Sequence, residues 1–599
     1  MLPFSIIFME YKWMMHGKKA DFSRIGEQFN IDPVVARVIR NRDVVGDQAI
    51  SEYLEPSVDY LYDPWLFKDM DTAIDIMMDK INLGHNIRII ADYDVDGVMS
   101  CYVLYKGLQR AGANVDYEIP NRVLDGYGLN EAMVDRAYDS GINTIITCDN
   151  GIAQFAAVSR AKELGMTVII TDHHEVSYTE EDGVRTYQLP SADCVIDPKR
   201  DDCTYPFPNI CGATVAYKFV QCLFEKRGID KGELTPLLMY VGFATVCDVM
   251  PLLDENRCLV KTALDMINKT DNEGIKALIS VNLLSEKTIT EYHLGYVLGP
   301  CINATGRLDS ANLSMKLLLA ENRTEALELA SQLYNLNSER RSLTEEYTGR
   351  AFELIENSEI RNDKVIVIFL DGCHESIAGI IAGRIKEKYY KPALVFTRTS
   401  DNLYKGSGRS IKEYNMYEEL AKCQKLMLKF GGHAMAAGFT IWPDNLEPLR
   451  KALNLECALT GEDMLPKIMI DVPMPIDYIH FELIEQLNRL APFGTANPKP
   501  LFAQQKLFVR SARVLGKEGN VLRLVFESET GAQMEGVYFE VTEFLDNVKE
   551  WFGENECDQM LHGWMNKVVL DIAYYPTINE FNGMRALQLN VKYYRKSED

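Results

Sequence analysis

The chain has 599 residues, 47% hydrophobic and 25% charged, with 39 Gly and 22 Pro. Those proportions exclude a disordered, collagen-like or repeat protein, and the length suggests about three to four domains. The 63 Lys+Arg against 87 Asp+Glu leave a net charge of −24, which excludes an indiscriminate polyanion binder.

No apolar run approaches the ~20 residues of a membrane helix, so no membrane association is expected. The opening Met1-Leu2-Pro3-Phe4-Ser5-Ile6-Ile7-Phe8 lacks a basic lead and a cleavage site. It reads as no signal peptide, and the true start is either Met1 or Met9. The 13 Cys are scattered without a CxxC pair. Cys101, Cys148 and Cys247 read as buried reduced thiols, consistent with a cytoplasmic protein.

Residues 1–80 read as an N-terminal helical region. From about 85, short apolar strands alternate with amphipathic helices: strand Ile87–Ala91, helix Val98–Ala111, strand Thr144–Cys148, helix Ile152–Leu164, strand Thr167–Ile170. Crossovers of this length predict a parallel, doubly wound α/β sheet. Residues 81–324 are assigned to it. Leu329, Leu333, Leu336, Leu343, Tyr347, Ala351 and Leu354 recur at helical spacing, predicting a connecting helix over 325–357. A second, smaller α/β domain is expected over 358–460, beginning with Val365–Phe369. From 466 to 599 the runs Leu507–Val509, Val521–Phe526, Val568–Tyr575 and Leu587–Val591 predict a small antiparallel barrel.

Each parallel strand runs into acidic or imidazole residues: Asp92-Tyr93-Asp94-Val95-Asp96-Gly97, Asp149-Asn150-Gly151 and Asp172-His173-His174. In a doubly wound sheet these ends line the ligand crevice. Asp248, after the apolar run Val241–Cys247, is a fourth candidate. A lone Asp at such a place usually caps a helix; three within five residues cannot all cap the same one. Packed carboxylates without cations would repel strongly. Oxygen-rich ligands with one or two imidazoles suit Mn²⁺ or Mg²⁺ better than zinc, and two such ions support in-line phosphoryl displacement. The residues therefore predict a two-metal phosphoesterase.

These motifs resemble the DHH phosphoesterase superfamily, with Asp172-His173-His174 as the eponymous triplet, and within it the bacterial RecJ single-strand-specific exonucleases. Asp197-Pro198, Cys247–Leu252 and Ile302-Asn303-Ala304-Thr305-Gly306-Arg307-Leu308 are similar to later motifs. His374, Gly379, Gly406–Ser410 and Gly431–Gly438 resemble a DHHA1 substrate domain; Pro492-Phe493-Gly494 and Asn579–Gly583 fit an OB-like tail. The resemblance spans roughly residues 30–595.

It implies Asp94, Asp96, Asp149, His173 and Asp248 as metal ligands, with Asp149 bridging two Mn²⁺ or Mg²⁺ ions. Asp92 and Asp172 would orient them, and His174 would contact the phosphate, stabilising charge or protonating the leaving oxygen. Arg307, Ser407, Arg409, Gly432 and His433 would bind substrate. Arg409 in a Ser/Gly-rich loop suits a phosphate, and the glycines before His433 permit close approach of a nucleotide. His374 is either a substrate contact or a loop-packing residue. Two positions depart from the pattern. Cys301 stands where Arg is usual, so a phosphate contact is missing or supplied elsewhere. Val521 replaces a common His in the barrel.

The implied activity is 5′→3′ hydrolysis of single-stranded DNA in repair and recombination, by a monomer working beside a single-strand-binding protein and a helicase. The alternatives are a phosphodiesterase acting on short oligonucleotides or cyclic dinucleotides, and an inactive replication scaffold. Two local stretches oppose the acidic total. Arg384–Lys412 holds eight Lys/Arg against two acids, a net +6, and Lys499–Arg523 six against one, a net +5.

Overall fold

The computed structural model describes residues 11–121, 126, 128–181, 184–308, 311–516, 518–581 and 583–598. Met1–Phe8, Met9, Lys517 and Asn582, discussed above, lie outside the described residues. The chain divides into two compact units, Met1–Pro56 with Leu465–Asp599, and Ser57–Met464.

The Ser57–Met464 unit is built on strands β1 (Asn86–Ala91), β2 (Asn114–Glu118), β3 (Thr144–Cys148), β4 (Thr167–Thr171) and β5 (Cys194–Ile196). They form a parallel sheet in the order β2-β1-β3-β4-β5. Alternation along each strand decides what covers each face. Ile87, Ile89, Ile146, Ile169 and Cys194 join one core with helices α1 (Met70–Asn82), α2 (Val95–Arg110), α5 (Gly212–Arg227) and α6 (Leu238–Cys247). Ile90, Ile145, Val168, Ile170 and Val195 face the other way, onto α3 (Glu131–Asp139) and α4 (Phe155–Glu163). The sheet is doubly wound, as its apolar runs predict. Helix α2 starts three residues before the expected Val98, because Asp94 caps it through the Gly97 N–H at 3.1 Å.

Helix α7 (Gly299–Leu308) precedes α8, which runs unbroken from Arg323 to Glu356 over 34 residues. Helix α8 packs against α7 and, further along, against α9 (Glu375–Tyr389). Its buried stripe is Ala326, Ala330, Leu333, Asn337, Thr344, Ala351 and Ile355. Leu354, expected in that stripe, is exposed, and Ile355 takes its place. Small side chains at the contacts let the neighbouring helices approach, which a leucine count cannot reveal. Beyond α8 lies a mixed sheet of β6 (Ile366–Phe369), β7 (Ala393–Arg398), β8 (Tyr404–Arg409), β9 (Lys429–His433) and β10 (Ala436–Ile441), in the order β9-β10-β8-β7-β6.

In the other unit, strands Phe502–Leu515, Val521–Glu527, Gln533–Tyr538, Val569–Phe581 and Met584–Lys596 form a barrel, closed because the first pairs with both the second and the fourth. The strand Gln533–Tyr538 was not expected from the sequence. Lys12–Met15 pairs in parallel with Lys467–Ile470. Buried Arg42 forms a forked ion pair with Asp471, Nη1 to Oδ1 at 2.6 Å and Nη2 to Oδ2 at 3.1 Å. The stretch read as one region, 1–80, therefore divides. Residues through Pro56 complete the barrel unit, while Met70–Asn82 packs on the parallel sheet. Helical periodicity shows that these helices are amphipathic, but not which core their apolar faces join.

Candidate active site

The carboxyl ends of four adjacent parallel strands deliver Asp92, Asp149, Asp172 and Asp197 to one side of the sheet. Asp94 and Asp96 follow Asp92 at the start of α2, and Asp248 caps the C-terminal end of α6. Asp149 takes a left-handed φ of 60°, a conformation costly for a non-glycine residue and retained where the surroundings enforce it. The enforcement is visible: the Asn150 amide donates to the Ile90 and Cys148 carbonyls at 3.0 and 2.9 Å.

His173 Nε2 lies 3.0 Å from Asp149 Oδ1, 3.5 Å from Asp96 Oδ2 and 3.6 Å from Asp248 Oδ2. Three overlapping groups have ligand atoms within 4.8 Å of one another: Asp149–His173–His174, Asp96–His173–Asp248 and Asp92–Asp94–Asp149. Asp149 and His173 each belong to two of them, so the donors describe adjoining sites with shared members. Asp92, expected only to orient ligands, also lies at ligand distance.

The electrostatics show what the cluster lacks. Burial, then the charges of Asp96, Asp94, Asp92 and Asp248, pushes Asp149 well above the usual carboxylate range. Burial and the charges of Asp96 and Asp94 do the same to Asp248, whose buried Oδ2 has no hydrogen bond. Asp96 is raised to about 6 by burial and Asp94, even though it accepts the Gly212 and Ala213 N–H groups at 2.6 and 2.8 Å at the start of α5. Burial and the His174 charge lower His173 to about 3, leaving its imidazole neutral and able to ligate. Oxygen donors in excess of cations, with a neutral imidazole at their centre, fit hard divalent metal ions.

Asp172 has another role. It accepts the Ile152 N–H at 2.9 Å, the His173 N–H at 2.8 Å and His174 Nδ1–H at 2.7 Å. Burial alone would raise it; the bond from His174 and the His174 charge, with the Ile152 N–H, outweigh burial and hold it low. Burial opposes a charge on His174, but Asp172 overrides it and lifts His174 to about 9. His174 is therefore an imidazolium at neutral pH, about half exposed beside the cluster.

In the second sheet the register aligns Lys405–Thr440–Lys429, Ser407–Gly438–Gly431 and Arg409–Ala436–His433 across β8, β10 and β9. Period two puts all of these on one face, so Lys405, Arg409, Lys429 and His433 surround a floor of small residues. A Cβ on Gly431 or Gly438 would meet nothing within 4 Å. A cavity of about 510 Å³ opens here, lined by Glu375, Lys405, Ser407, Lys429, Gly431 and Gly438 among others. Gly432, at φ 144°, has its backbone against Ala436 and Ala437, where a Cβ would lie 2.3 Å from the Ala436 carbonyl oxygen. His374 caps α9 and hydrogen-bonds Ser376 Oγ at 2.7 Å through Nδ1, while Arg307 donates to the Ser376 carbonyl.

Family models match the chain in three segments: the DHH family N-terminal domain over residues 86–242, the DHHA1 domain over 362–458 and the RecJ OB domain over 470–593. The single-stranded-DNA-specific exonuclease RecJ of Bacillus subtilis strain 168 is 32% identical over 570 residues, covering 94% of this chain and 68% of the relative. That of Escherichia coli K12 is 32% identical over 585 residues, covering 93% and 95%. The chain belongs to the RecJ family. Among solved structures, exonuclease RecJ bound to manganese is 27% identical with a TM-score of 0.56, covering 67% of this chain and 97% of that one. RecJ of Thermus thermophilus in complex with Mn²⁺ shares the fold at a TM-score of 0.80 and 24% identity, covering 98% and 80%.

Several residues at this RecJ-family site carry no recognisable signal in the sequence. Asp197 stands out in the sequence only as part of the Asp197-Pro198 motif; its carboxyl is raised to about 8 by burial and the Asp172 charge. Gly212 lets α5 approach the cluster, since a Cβ there would lie 2.8 Å from Asp149 Cβ. Lys429 joins the trough by strand register alone. The two basic stretches are also less free than their counts suggest. Lys405 pairs with Glu375 at 3.0 Å, Arg398 with Asp371 at 3.3 Å, and Arg510 with Glu527 at 3.5 Å.

Proposed function

We propose that this RecJ-family chain is a metal-dependent 5′→3′ exonuclease that hydrolyses single-stranded DNA in repair and recombination. The observation that carries the reading is the cluster of carboxylates around the neutral His173 imidazole. Asp94, Asp96, Asp149, His173 and Asp248 would hold two Mn²⁺ or Mg²⁺ ions, Asp149 being shared, with buried Asp92 beside Asp94 and Asp149. Ions bound there supply an acidified water at neutral pH and offset the charge that develops on the phosphate.

The chain's own groups do the rest. Asp172 fixes the His174 ring and keeps it protonated, so that His174 can contact the scissile phosphate and give its Nε2 proton to the departing oxygen. Lys405, Arg409, Lys429 and His433 hold the terminal nucleotide's phosphates, and Ser407 adds a hydroxyl. The glycine floor leaves room for the sugar and base. The barrel grips the remaining strand through backbone charge and stacking. The protein works as a cytoplasmic monomer beside a single-strand-binding protein and a helicase.

The test is digestion of 5′- and 3′-labelled single and double strands with each metal. Expected is Mn²⁺-dependent release of nucleotides from the 5′ end of single strands only, lost in Asp149→Ala with binding retained. Hydrolysis confined to dinucleotides or cyclic dinucleotides would instead favour a small-substrate phosphodiesterase. Undiminished turnover in Asp149→Ala would sink the metal mechanism.

A further inference from the structure

The helix that becomes α7 starts at Glu291 and passes through one π turn, Leu294–Leu298, a geometry that recurs at functional sites. Its start is pinned. The Thr290 N–H donates to His293 Nδ1 at 3.0 Å, and the Asn268 side-chain amide exchanges hydrogen bonds with the Ile289 backbone at 2.8 and 3.0 Å. On this fixed scaffold Tyr292 and Tyr296 stack on each other, ring centroids 5.2 Å apart and planes inclined by 26°. They are 60% and 75% exposed. Among the described residues neither phenol hydrogen-bonds to the protein. So exposed a pair adds little to the stability of the fold.

The same helix runs from the tyrosines along the edge of the carboxylate cluster. Tyr296 stands three residues before Gly299 and so neighbours it on the helix surface. A Cβ on Gly299 would lie 2.5 Å from Cys247 Sγ, and the Leu294 carbonyl accepts from that thiol at 3.5 Å. Cys247 directly precedes the candidate ligand Asp248. One turn on, Asn303 Oδ1 accepts the Val95 N–H at 3.2 Å, between Asp94 and Asp96. A turn further, Arg307 donates to the Ser376 carbonyl on α9, where neighbouring Glu375 lines the glycine-floored trough. Trough, cluster and tyrosines therefore follow one another along this helix. From Asn303 back to Tyr296 is about 10 Å of helix, or about three base steps of ~3.4 Å. Val249, the residue after Asp248, is 65% exposed and held at a left-handed φ of 59°, so the cluster's margin presents an apolar side chain to solvent as well.

We propose that the stacked Tyr292–Tyr296 pair is a platform for nucleobases, which takes the bases that follow the scissile phosphate on the side of the cluster away from the trough. The inference rests on the proposed single-strand substrate. Every base has a π face, so the platform grips the strand without reading its sequence. A duplex keeps its bases within its own stack, so the pair also contributes to strand selectivity.

The test uses full-length protein with Mn²⁺ and a fluorescent (dT)20 whose terminal linkages are phosphorothioate, so that it is bound rather than digested. Tyr292→Ala combined with Tyr296→Ala changes exposed side chains and should leave Tm unchanged. The double variant should bind (dT)20 about tenfold more weakly, with the same log–log salt slope, because no phosphate contact is lost. Abasic residues at the third to sixth positions from the 5′ end should weaken wild-type binding by a similar factor and leave the variant's binding unchanged. Tyr296→Phe should keep wild-type affinity. The dinucleotide pdTpdT, too short to reach the tyrosines, should turn over alike in wild type and double variant.

Equal affinity in wild type and double variant, or an abasic penalty of the same size in both, would overturn the proposal. So would an abasic strand that the wild type binds as tightly as the intact one, a result that needs no variant. Light scattering adds a further arm. A wild-type dimer that the double variant loses, with (dT)20 affinity unmoved, would give the pair to a second copy of the chain, and the strand assignment falls. Failure of the wild type to bind (dT)20 at all would sink the functional reading itself, which separates the two.

Discussion

Removing the metal should make the Ser57–Met464 unit lose stability as pH rises, and Asp96 gives the scale. Its folded-state pKa of about 6 lies roughly two units above 3.8. At about 1.4 kcal/mol per unit, its ionisation costs the fold roughly 3 kcal/mol. A carboxyl raised in the folded state holds its proton more tightly there. The cost is therefore absent below about pH 4, grows between about 4 and 6, and is complete above. Asp149 and Asp248 push in the same direction. For a unit of this size, 1 kcal/mol moves Tm by about 1 °C.

The assay is thermal melting of wild type and Asp96→Asn in EDTA from pH 4.5 to 8. The lost carboxylate bonds to Gly212 and Ala213 impose an offset independent of pH, so the slope is diagnostic. About a third of the cost is already present at pH 4.5, so the Tm of Asp96→Asn relative to wild type should climb by about 2 °C between pH 4.5 and 7. Mn²⁺ at a hundred times its Kd should then raise the wild-type stability by about 2.7 kcal/mol and the variant's by much less. A variant-minus-wild-type difference that stays flat across this pH range would refute the reasoning.

Four further outcomes can be checked. His174→Ala should lower kcat by about 10²–10³ with little change in KM, since proton transfer acts in the transition state; steady-state kinetics on a 5′-labelled strand would show it. Gly212→Ala places a Cβ 2.8 Å from Asp149 Cβ and 3.1 Å from Asp96 Oδ2, so calorimetry should show weakened Mn²⁺ binding. Lys218 and Glu255 form a fully buried ion pair at 3.1 Å. Lys218→Met should cost about 3–5 kcal/mol in urea unfolding by leaving Glu255 unpaired. Deleting residues 1–56 removes Arg42 from Asp471 and should destabilise the barrel by several kcal/mol, seen as a lowered first transition in calorimetry.

Much of the site was legible because its chemistry sits where a parallel sheet must place it. Short β-branched runs ending in Asp92, Asp149 and Asp172 could form only one kind of crevice. What the sequence hid was how the carboxylates are shared. Asp94 does cap α2, yet Asp96, two residues later, binds the N-terminus of α5, more than a hundred residues away in the chain. Asp92 reads as a supporting residue but lies within ligand distance of Asp94 and Asp149. Lys429 belongs to no basic run and enters the trough only because Lys405, Thr440 and Lys429 share a register. Arg42 and Asp471 pair although the whole catalytic unit separates them in the chain, a partnership that local pattern cannot encode.

The parallel pairing of Lys12 with Lys467 also sets an order of events during synthesis. The first strand of the barrel unit leaves the ribosome 455 positions before its partner. At about 5–20 residues per second it waits on the order of 20–90 s. Through that interval Ile25, Val35 and Ile39, buried in the finished protein, have no barrel to cover them. The Ser57–Met464 unit carries its own cores and can close while the N-terminal segment waits. A newborn chain can thus assemble the carboxylate cluster of Asp92 to Asp248 before its barrel exists, and its earliest helices are the last to be covered.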